Sequence, residues 1–397
     1  MSIGVPAGAA PGRVAFYNDP KVRSIAYQIA LCAIIAFLVY GAVDNAVVNM
    51  RRAHITSGLG FWNNTAGFDI SQTLIRYDSQ TSTYGRAFWV GLLNTLLVAG
   101  LGIVFATIIG FIVGIGRLSK NWLVARACGG YVETIRNIPL LLQLLFWYNG
   151  VLKALPDVRD SYNLPLHIFL NNRGLMMPNP VGHGGEDAMW LLALAGLAAA
   201  IAFRFWARRR QEATGRQAPV FLVGLGFVLV PALIYVLIAG FPYTFDIPQR
   251  GRFNLTGGIS LAPEFVALLL GLSIYTAAFI AEVVRAGILA VSRGQSEAAY
   301  ALGLKPGVTL RLIVLPQAMR VIIPPLTSQY LNLTKNSTLA VAIGYPDLVQ
   351  IFTGTVLNQT GQAVEVVAIT MAVYLTISLV TSLAMNVYNA RMALVER

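Results

Sequence analysis

Charge is scarce in this chain. Only 12% of its 397 residues are Asp, Glu, Lys or Arg, about half of the ~25% usual in soluble domains. Hydrophobic residues make up 56% and the mean hydropathy is +0.65. A cytosolic globular domain and a disordered chain are both excluded. Cysteine is nearly absent: Cys32 and Cys128 lie in or beside apolar segments, so there is neither a disulfide framework nor a Cys-based metal site. Three scattered histidines, His54, His167 and His183, offer no metal or catalytic cluster. No Gly-Lys pair occurs anywhere, which removes the phosphate-cradling G-x-x-x-x-G-K-[ST] loop. Acid is scarcer than base, 17 residues against 29, for a net +12. Such an excess can serve nucleic acid, but in so apolar a chain it marks loops held against anionic lipid. The reading is therefore membrane, with no nucleic acid.

Long hydrophobic runs are plentiful. A bilayer core of roughly 30 Å needs about 20 apolar residues in a helix. Ser24–Val43 is the first run. It is too long for a signal-peptide core of roughly 7–15 residues, and reads as a retained anchor. Ala87–Gly116 follows without a charge, and its Gly110 and Gly114 form a small-xxx-small pair. The pair either packs closely on a neighbour or reflects the general abundance of glycine in membrane helices. Further spans are expected from Tyr131 through Leu152, at Ala188–Phe203, from Val220 to about Phe245, from Phe265 to about Val291, over Val321–Tyr345, and at Val366–Ala390. Eight spans put both termini on one side. Segments 1–24, 116–136, 204–217, 285–320 and 389–397 hold 19 Lys and Arg, segments 44–87, 153–187 and 241–263 hold nine, and Lys335 completes the 29. The excess marks the first group, both termini included, as cytoplasmic. Loops Asp44–Arg86 and Lys153–Asp187 then face outward, as surface structure with short interfacial helices.

The cytoplasmic stretch after the sixth span carries the message. It reads Gly294-Gln295-Ser296-Glu297-Ala298-Ala299-Tyr300-Ala301-Leu302-Gly303-Leu304-Lys305-Pro306. Ser296 suits an N-cap and Glu297 the positive end of the helix dipole. Gly303 suits the left-handed position after the helix, and Pro306 forbids continuation. The result is a helix of about two turns, too short to stand alone in water, and so in need of a partner surface.

Glu297-Ala298-Ala299, three residues, Gly303, nine residues, Ile313, one residue and Leu315-Pro316 match the EAA motif of ABC importer permeases. The flanks resemble the polar amino-acid permeases: Ala281-Glu282-Val283-Val284-Arg285, Gln317-Ala318, Pro324-Pro325, Leu333-Thr334-Lys335-Asn336-Ser337, and Tyr131-Val132-Glu133-Thr134-Ile135-Arg136-Asn137-Ile138-Pro139-Leu140-Leu141. The resemblance covers about residues 88–152 and 264–390. The enlargement of the chain is similar to that of the general L-amino-acid and glutamate/glutamine/aspartate/asparagine permeases of Gram-negative bacteria.

The resemblance implies an all-α membrane protein of about eight transmembrane helices, a five-helix permease core with one extra N-terminal helix and an inserted helical hairpin. Its parts are a cytoplasmic tail 1–23, an anchor and periplasmic segment 24–87, core 88–152, an insertion 153–263, and core 264–397 with the coupling loop 294–316. It implies a multi-pass protein of the bacterial inner membrane that is not itself an enzyme and holds no cofactor or metal. ATP and Mg are bound by a separate ATP-binding subunit dimer. A periplasmic solute-binding protein delivers an L-amino acid, and a second permease chain, identical or related, completes the pathway.

Three sets of residues follow. Glu297, Ala298, Ala299, Gly303, Leu304 and Pro306 are the expected ATPase-coupling set, the alternative being a loop helix packed on its own protein. Lys335, with Gln329, Asn332, Asn336 and Ser337, is the expected substrate pathway. An intramembrane charge costs about 2.5–3.5 kcal/mol and faces a cavity or a partner. Lys335 either meets a substrate carboxylate or pairs, for example with Glu365. Glu133/Arg136 and Glu282/Arg285 are both E-x-x-R, one helix face each. They close an inner gate across helices, or form local pairs worth little. Pro324-Pro325 is expected to break or kink the seventh span, placing the substrate cavity near it. Phe146, Trp147 and Tyr148 read as an interfacial belt rather than a ligand box. A secondary transporter driven by ions, the competing reading, calls for a membrane-embedded chain of carboxylates. Apart from Glu365, the acids sit at span ends.

Overall fold

The computed structural model describes residues 20–52, 57–251 and 254–392; most of the expected cytoplasmic tail, residues 1–19, lies outside them. Among the described residues seven helices are long and apolar enough to cross a membrane, and Leu140–Leu152 is a shorter apolar helix beside them. The fold is an all-α membrane core carrying a small β layer.

The elements follow from local sequence. Helix α1 (Pro20–Arg52) stands apart with an almost wholly exposed apolar surface, as a lipid-facing anchor does. Helix α2 (Tyr84–Gly116) is capped by Thr83, whose side chain accepts from the Arg86 amide. Helices α3 (Trp122–Asn137) and α4 (Leu140–Leu145, continued by a π-helical stretch Phe146–Leu152) replace the single third span expected from Tyr131. Pro139 restricts the residue before it, and Ile138 is extended at φ −98°, ψ 128°, so the helix breaks there.

The region after α4 departs most from expectation. The expected short helices are reduced to 3-10 turns at Val158–Asp160 and Pro165–His167, and strands that were not expected stand among them: β1 (Tyr162–Leu164), β2 (Ile168–Asn171), β3 (Gly174–Met177) and β4 (Asn179–Gly182). Helices α5 (Glu186–Thr214) and α6 (Val220–Ala239) form the expected hairpin and pack on each other. Helix α6 stops short of the expected Phe245, because Gly240 turns at φ 83° and the chain enters β5 (Tyr243–Asp246), β6 (Gln249–Arg250), β7 (Leu255–Thr256) and β8 (Ile259–Leu261). β1, β2, β3 and β8 make a four-stranded antiparallel sheet, while β4 pairs with β5. β1, β2 and β3 pair as local hairpins, whereas β8 joins the sheet from more than eighty residues away, with Leu175 opposite Leu261.

The core proper is built on α7 (Pro263–Leu289), which packs on α2, α3, α4 and α10. After it come α8 (Arg293–Ala301), α9 (Pro306–Thr309), a π turn Leu310–Val314 and α10 (Leu315–Asn336), continued by a 3-10 stretch Ser337–Ile343. The expected break is absent: α10 runs continuously through Pro324-Pro325. The two prolines leave the Arg320 and Val321 carbonyls without helical donors. Ile322, Ile323 and Leu326, all buried, hold the helix in place; membrane helices tolerate such losses when packed on neighbours. The irregular turns lie at either end of the helix instead. A π stretch Gln350–Val356, α11 (Leu357–Thr360) and α12 (Ala363–Met392) close the chain.

Glycines set how closely α2 and α7 approach. A Cβ on Gly110 would lie 2.6 Å from Ile280 Cβ, and one on Gly114 would lie 2.7 Å from the Ala281 carbonyl oxygen and 2.8 Å from Val284 Cβ. The small-xxx-small pair is thus a packing face. Gly114→Val is expected to destabilise the protein by about 1–3 kcal/mol through overpacking, read as a lower melting temperature in detergent.

Candidate functional site

At one end of the core, α8 forms the expected short helix with different bounds. It starts at Arg293, with the extended Ser292 at its N-cap (φ −56°, ψ 134°), so Ser296 lies inside the helix and caps nothing. The C-terminus is as expected. Gly303 takes φ +75°, its amide donates to the Tyr300 carbonyl at 2.9 Å, and the Leu304 amide donates to the Ala299 carbonyl at 3.1 Å. These are the two bonds of a Schellman turn. Pro306 then begins α9 at a position where its missing amide is not needed. Ala299 is buried at 1% exposure, anchoring α8 to its own protein, whereas Tyr300 and Leu302 stand 51% and 81% exposed. Glu297, Ala298 and Ala301 share that exposure. Beside them runs a cavity of about 360 Å³ lined by residues that include Leu289, Glu297, Tyr300 and Val314. The exposed face of α8 thus carries a large aromatic, a leucine and an acid.

The second surface lies along α10. Val321, Pro325, Ser328, Asn332 and Lys335 recur at alternating four- and three-residue spacing and are all exposed. Gln329 and Asn336 flank this stripe half-buried, but Ser337 is buried and donates to the Thr334 carbonyl at 2.8 Å. Lys335 has no ion-pair partner among the described residues. Glu365, its suggested partner, instead accepts from the Gly58 amide at 2.5 Å. A polar stripe with a lysine inside a span is not solvated by hydrocarbon. It demands water or another protein. The stripe and the short helix are joined by one run of chain, from α8 through α9 and the π turn into α10.

The two E-x-x-R pairs behave differently. Glu282 pairs with Arg285 at 2.5 Å and also with Arg117 at the end of α2, tying two helices together at the α8 end. Glu133 and Arg136 are exposed and make no ion pair with each other; Arg136 sits over the Phe279 ring at 5.1 Å. At the other end of α4, Tyr148 donates to Glu264 at 2.6 Å and stacks under Lys153, so it belongs to a local cluster while Phe146 stays exposed.

The opposite end of the core holds a polar cluster that was not singled out from sequence. Asn94 donates to the carbonyls of Gln72 and Pro346, Thr95 accepts from the Leu348 amide, and Tyr345 donates to the Asn94 carbonyl. Asp347, fully buried, accepts from the Gln350 amide at 2.8 Å and from the Tyr374 hydroxyl at 3.3 Å. These bonds lock the turn after α10 onto α2. Asp347→Ala leaves buried donors unpaired and is expected to destabilise by about 1–3 kcal/mol, read by thermal unfolding. No group of three or more metal-ligating side chains occurs among the described residues.

The whole is a polytopic membrane protein with two surfaces that its own fold leaves exposed, the face of the short helix α8 and the intramembrane stripe on α10. The chain belongs to the family of binding-protein-dependent transport system inner membrane components, matched over residues 106–394. It is 54% identical over 385 residues to the general L-amino acid transport system permease protein AapQ of Rhizobium johnstonii, covering 97% of this chain and 96% of that one. It is 48% identical to the putative amino-acid ABC transporter permease protein YhdX of Escherichia coli, covering 97% and 98%. It is 43% identical to the glutamate/glutamine/aspartate/asparagine transport system permease protein BztB of Rhodobacter capsulatus, covering 96% of each chain. The chain is therefore a transport permease subunit of the binding-protein-dependent class, and the ion-coupled alternative is without support.

Proposed function

We propose that this permease carries L-amino acids across a bacterial inner membrane, drawing on ATP hydrolysed by a separate ATP-binding subunit dimer. The observation that carries the reading is the continuity of α8 and α10: the exposed docking helix and the polar stripe belong to one run of chain. An ATPase seated on Glu297, Ala298, Tyr300 and Leu302 pulls on α8. The Schellman turn at Gly303 and the buried Ala299 pass that pull through α9 to α10. The stripe of Ser328, Asn332 and Lys335 then changes the space it faces, so that access alternates between the two sides.

In this reading the stripe faces a second permease chain, identical or related, and the pathway runs between them. Lys335 offers the positive charge that every amino-acid carboxylate can meet, and Gln329, Asn332 and Asn336 offer amides. A solute-binding protein delivers the amino acid at the end that carries the β layer and the Asp347 turn. The excess of Lys and Arg in the loops at the α8 end supports placing that end, and both termini, in the cytoplasm. Arg117, Glu282 and Arg285 hold α2 to α7 there, as an inner gate does. ATP and Mg belong to the partner, since the chain has no phosphate-binding loop of its own.

Substrate class is tested by competition. Vesicles carrying this chain, the second permease chain if the two differ, the ATPase and the binding protein take up labelled L-glutamate. Unlabelled acidic, amide and neutral L-amino acids are expected to compete. Indifference to every L-amino acid, with ATP hydrolysis intact, overturns the amino-acid assignment.

A further inference from the structure

A second cavity of about 360 Å³ lies at the α8 end of the core, walled by the end of α2, one face of α3 and α7. Three guanidinium groups face it, Arg117, Arg126 and Arg285, together with the Glu133 carboxylate. Two of the three are already engaged, since Glu282 holds Arg117 and Arg285 in ion pairs. Arg126 is exposed and has no ion pair among the described residues. With Glu133 and Glu282 counted, the cluster keeps one positive charge in excess. Between Arg126 and Glu133 the α3 wall is bare backbone at Gly129 and Gly130, where an added Cβ meets nothing within 4 Å, so a ligand can approach the helix closely there.

The surroundings choose the ligand. Trp122 and Leu123, at the start of α3, are 75% and 66% exposed, and Ile112 and Ile115 near the end of α2 are exposed as well. An exposed tryptophan beside apolar side chains sits at the boundary of headgroup and acyl chain. The cavity thus opens where a lipid has its phosphate. We propose that it binds the phosphodiester headgroup of an anionic phospholipid such as phosphatidylglycerol. The single negative charge of the phosphodiester matches the excess charge. The Glu133 carboxylate accepts from glycerol hydroxyls, which a choline headgroup does not carry, and so favours phosphatidylglycerol over phosphatidylcholine. Basic pockets between helices on the cytoplasmic side are suited to such headgroups. The cytoplasmic placement rests on the orientation proposed above; the lipid site itself does not depend on it.

The test uses the intact transporter, with its second permease chain and ATPase, in phosphatidylcholine nanodiscs titrated with phosphatidylglycerol, and counts retained lipid by native mass spectrometry. Arg126→Gln is expected to weaken phosphatidylglycerol binding about five-fold, the scale of one arginine at an anionic surface. Gly130→Leu, which fills the cavity and removes no charge, is expected to weaken it too. Arg209→Gln, an exposed arginine on α5, is expected to leave it unchanged. Equal binding by the wild type and both cavity variants overturns the proposal. Displacement of the lipid by millimolar inorganic phosphate overturns the lipid as the ligand in favour of a soluble anion. ATP-driven uptake by the wild type is measured on the same preparation, so a failure of the transport reading is seen separately from a failure of the lipid site.

Discussion

Gly303→Asp is expected to abolish ATP-driven uptake and to weaken association with the ATPase about 30-fold, the ~2 kcal/mol of a hot spot at a protein interface. Two effects combine. Gly303 holds φ +75°, where a residue with a Cβ is strained by about 1–2 kcal/mol, and the Schellman turn that ends α8 depends on that angle. A Cβ there meets no atom within 4 Å, so the fold of the core is spared and the new carboxylate points into the docking surface. Co-purification of the ATPase with wild-type and Gly303→Asp chains measures the first effect, and vesicle uptake the second. Normal membrane insertion with both lost is the expected result. Undiminished association would show that α8 is a packing element of this chain alone.

Lys335→Leu is expected to reduce uptake by about 30-fold or more, the scale of removing one partner of a desolvated charge pair, while Lys335→Arg keeps a substantial part of it. Lys335 lies inside the span, exposed, and unpaired with any acid among the described residues. Leucine there is the better residue for a lipid-facing surface. If Lys335 merely faced lipid, Lys335→Leu would raise stability and leave uptake alone. Measuring the melting temperature and uptake of both variants separates the two roles. A stable, ATPase-bound Lys335→Leu transporter that has lost uptake places the lysine on the substrate route.

Much of this was legible in the sequence because it is local. The short helix α8 is written in consecutive residues, and Gly303 and Pro306 end it where their backbone preferences say they must. The spans are visible by length and hydropathy, and the loop charges give an orientation. What was illegible depends on distant pairing. Arg117 is an ordinary basic residue at a span end until α7 brings Glu282 to it across 165 residues. Asp347 reads as a loop acid until Tyr374 and the Gln350 amide enclose it. The polar residues of α10 are plain in the sequence, yet only packing against α2, α7 and α12 decides that Asn332 and Lys335 lie outward while Thr334 and Ser337 lie inward. At the proline pair local rules allow a break or a kink, and buried neighbours at Ile322, Ile323 and Leu326 hold the helix without a break. The strands of the inserted region are two to four residues long, too short for periodicity to announce them, and β3–β8 and β4–β5 pair across the whole helical hairpin.

The central claim is that transport is driven by ATP through α8, with no ion gradient as its source of energy. The most direct measurement is uptake of a labelled L-amino acid into vesicles that contain the complete transporter, with the binding protein outside. ATP is supplied at the ATPase face, and proton and sodium gradients are collapsed by ionophores. Uptake that persists without gradients, and disappears when the ATPase subunit is omitted or ATP is replaced by ADP, is the predicted result. Uptake by the permease alone that follows a proton or sodium gradient and ignores ATP would contradict it.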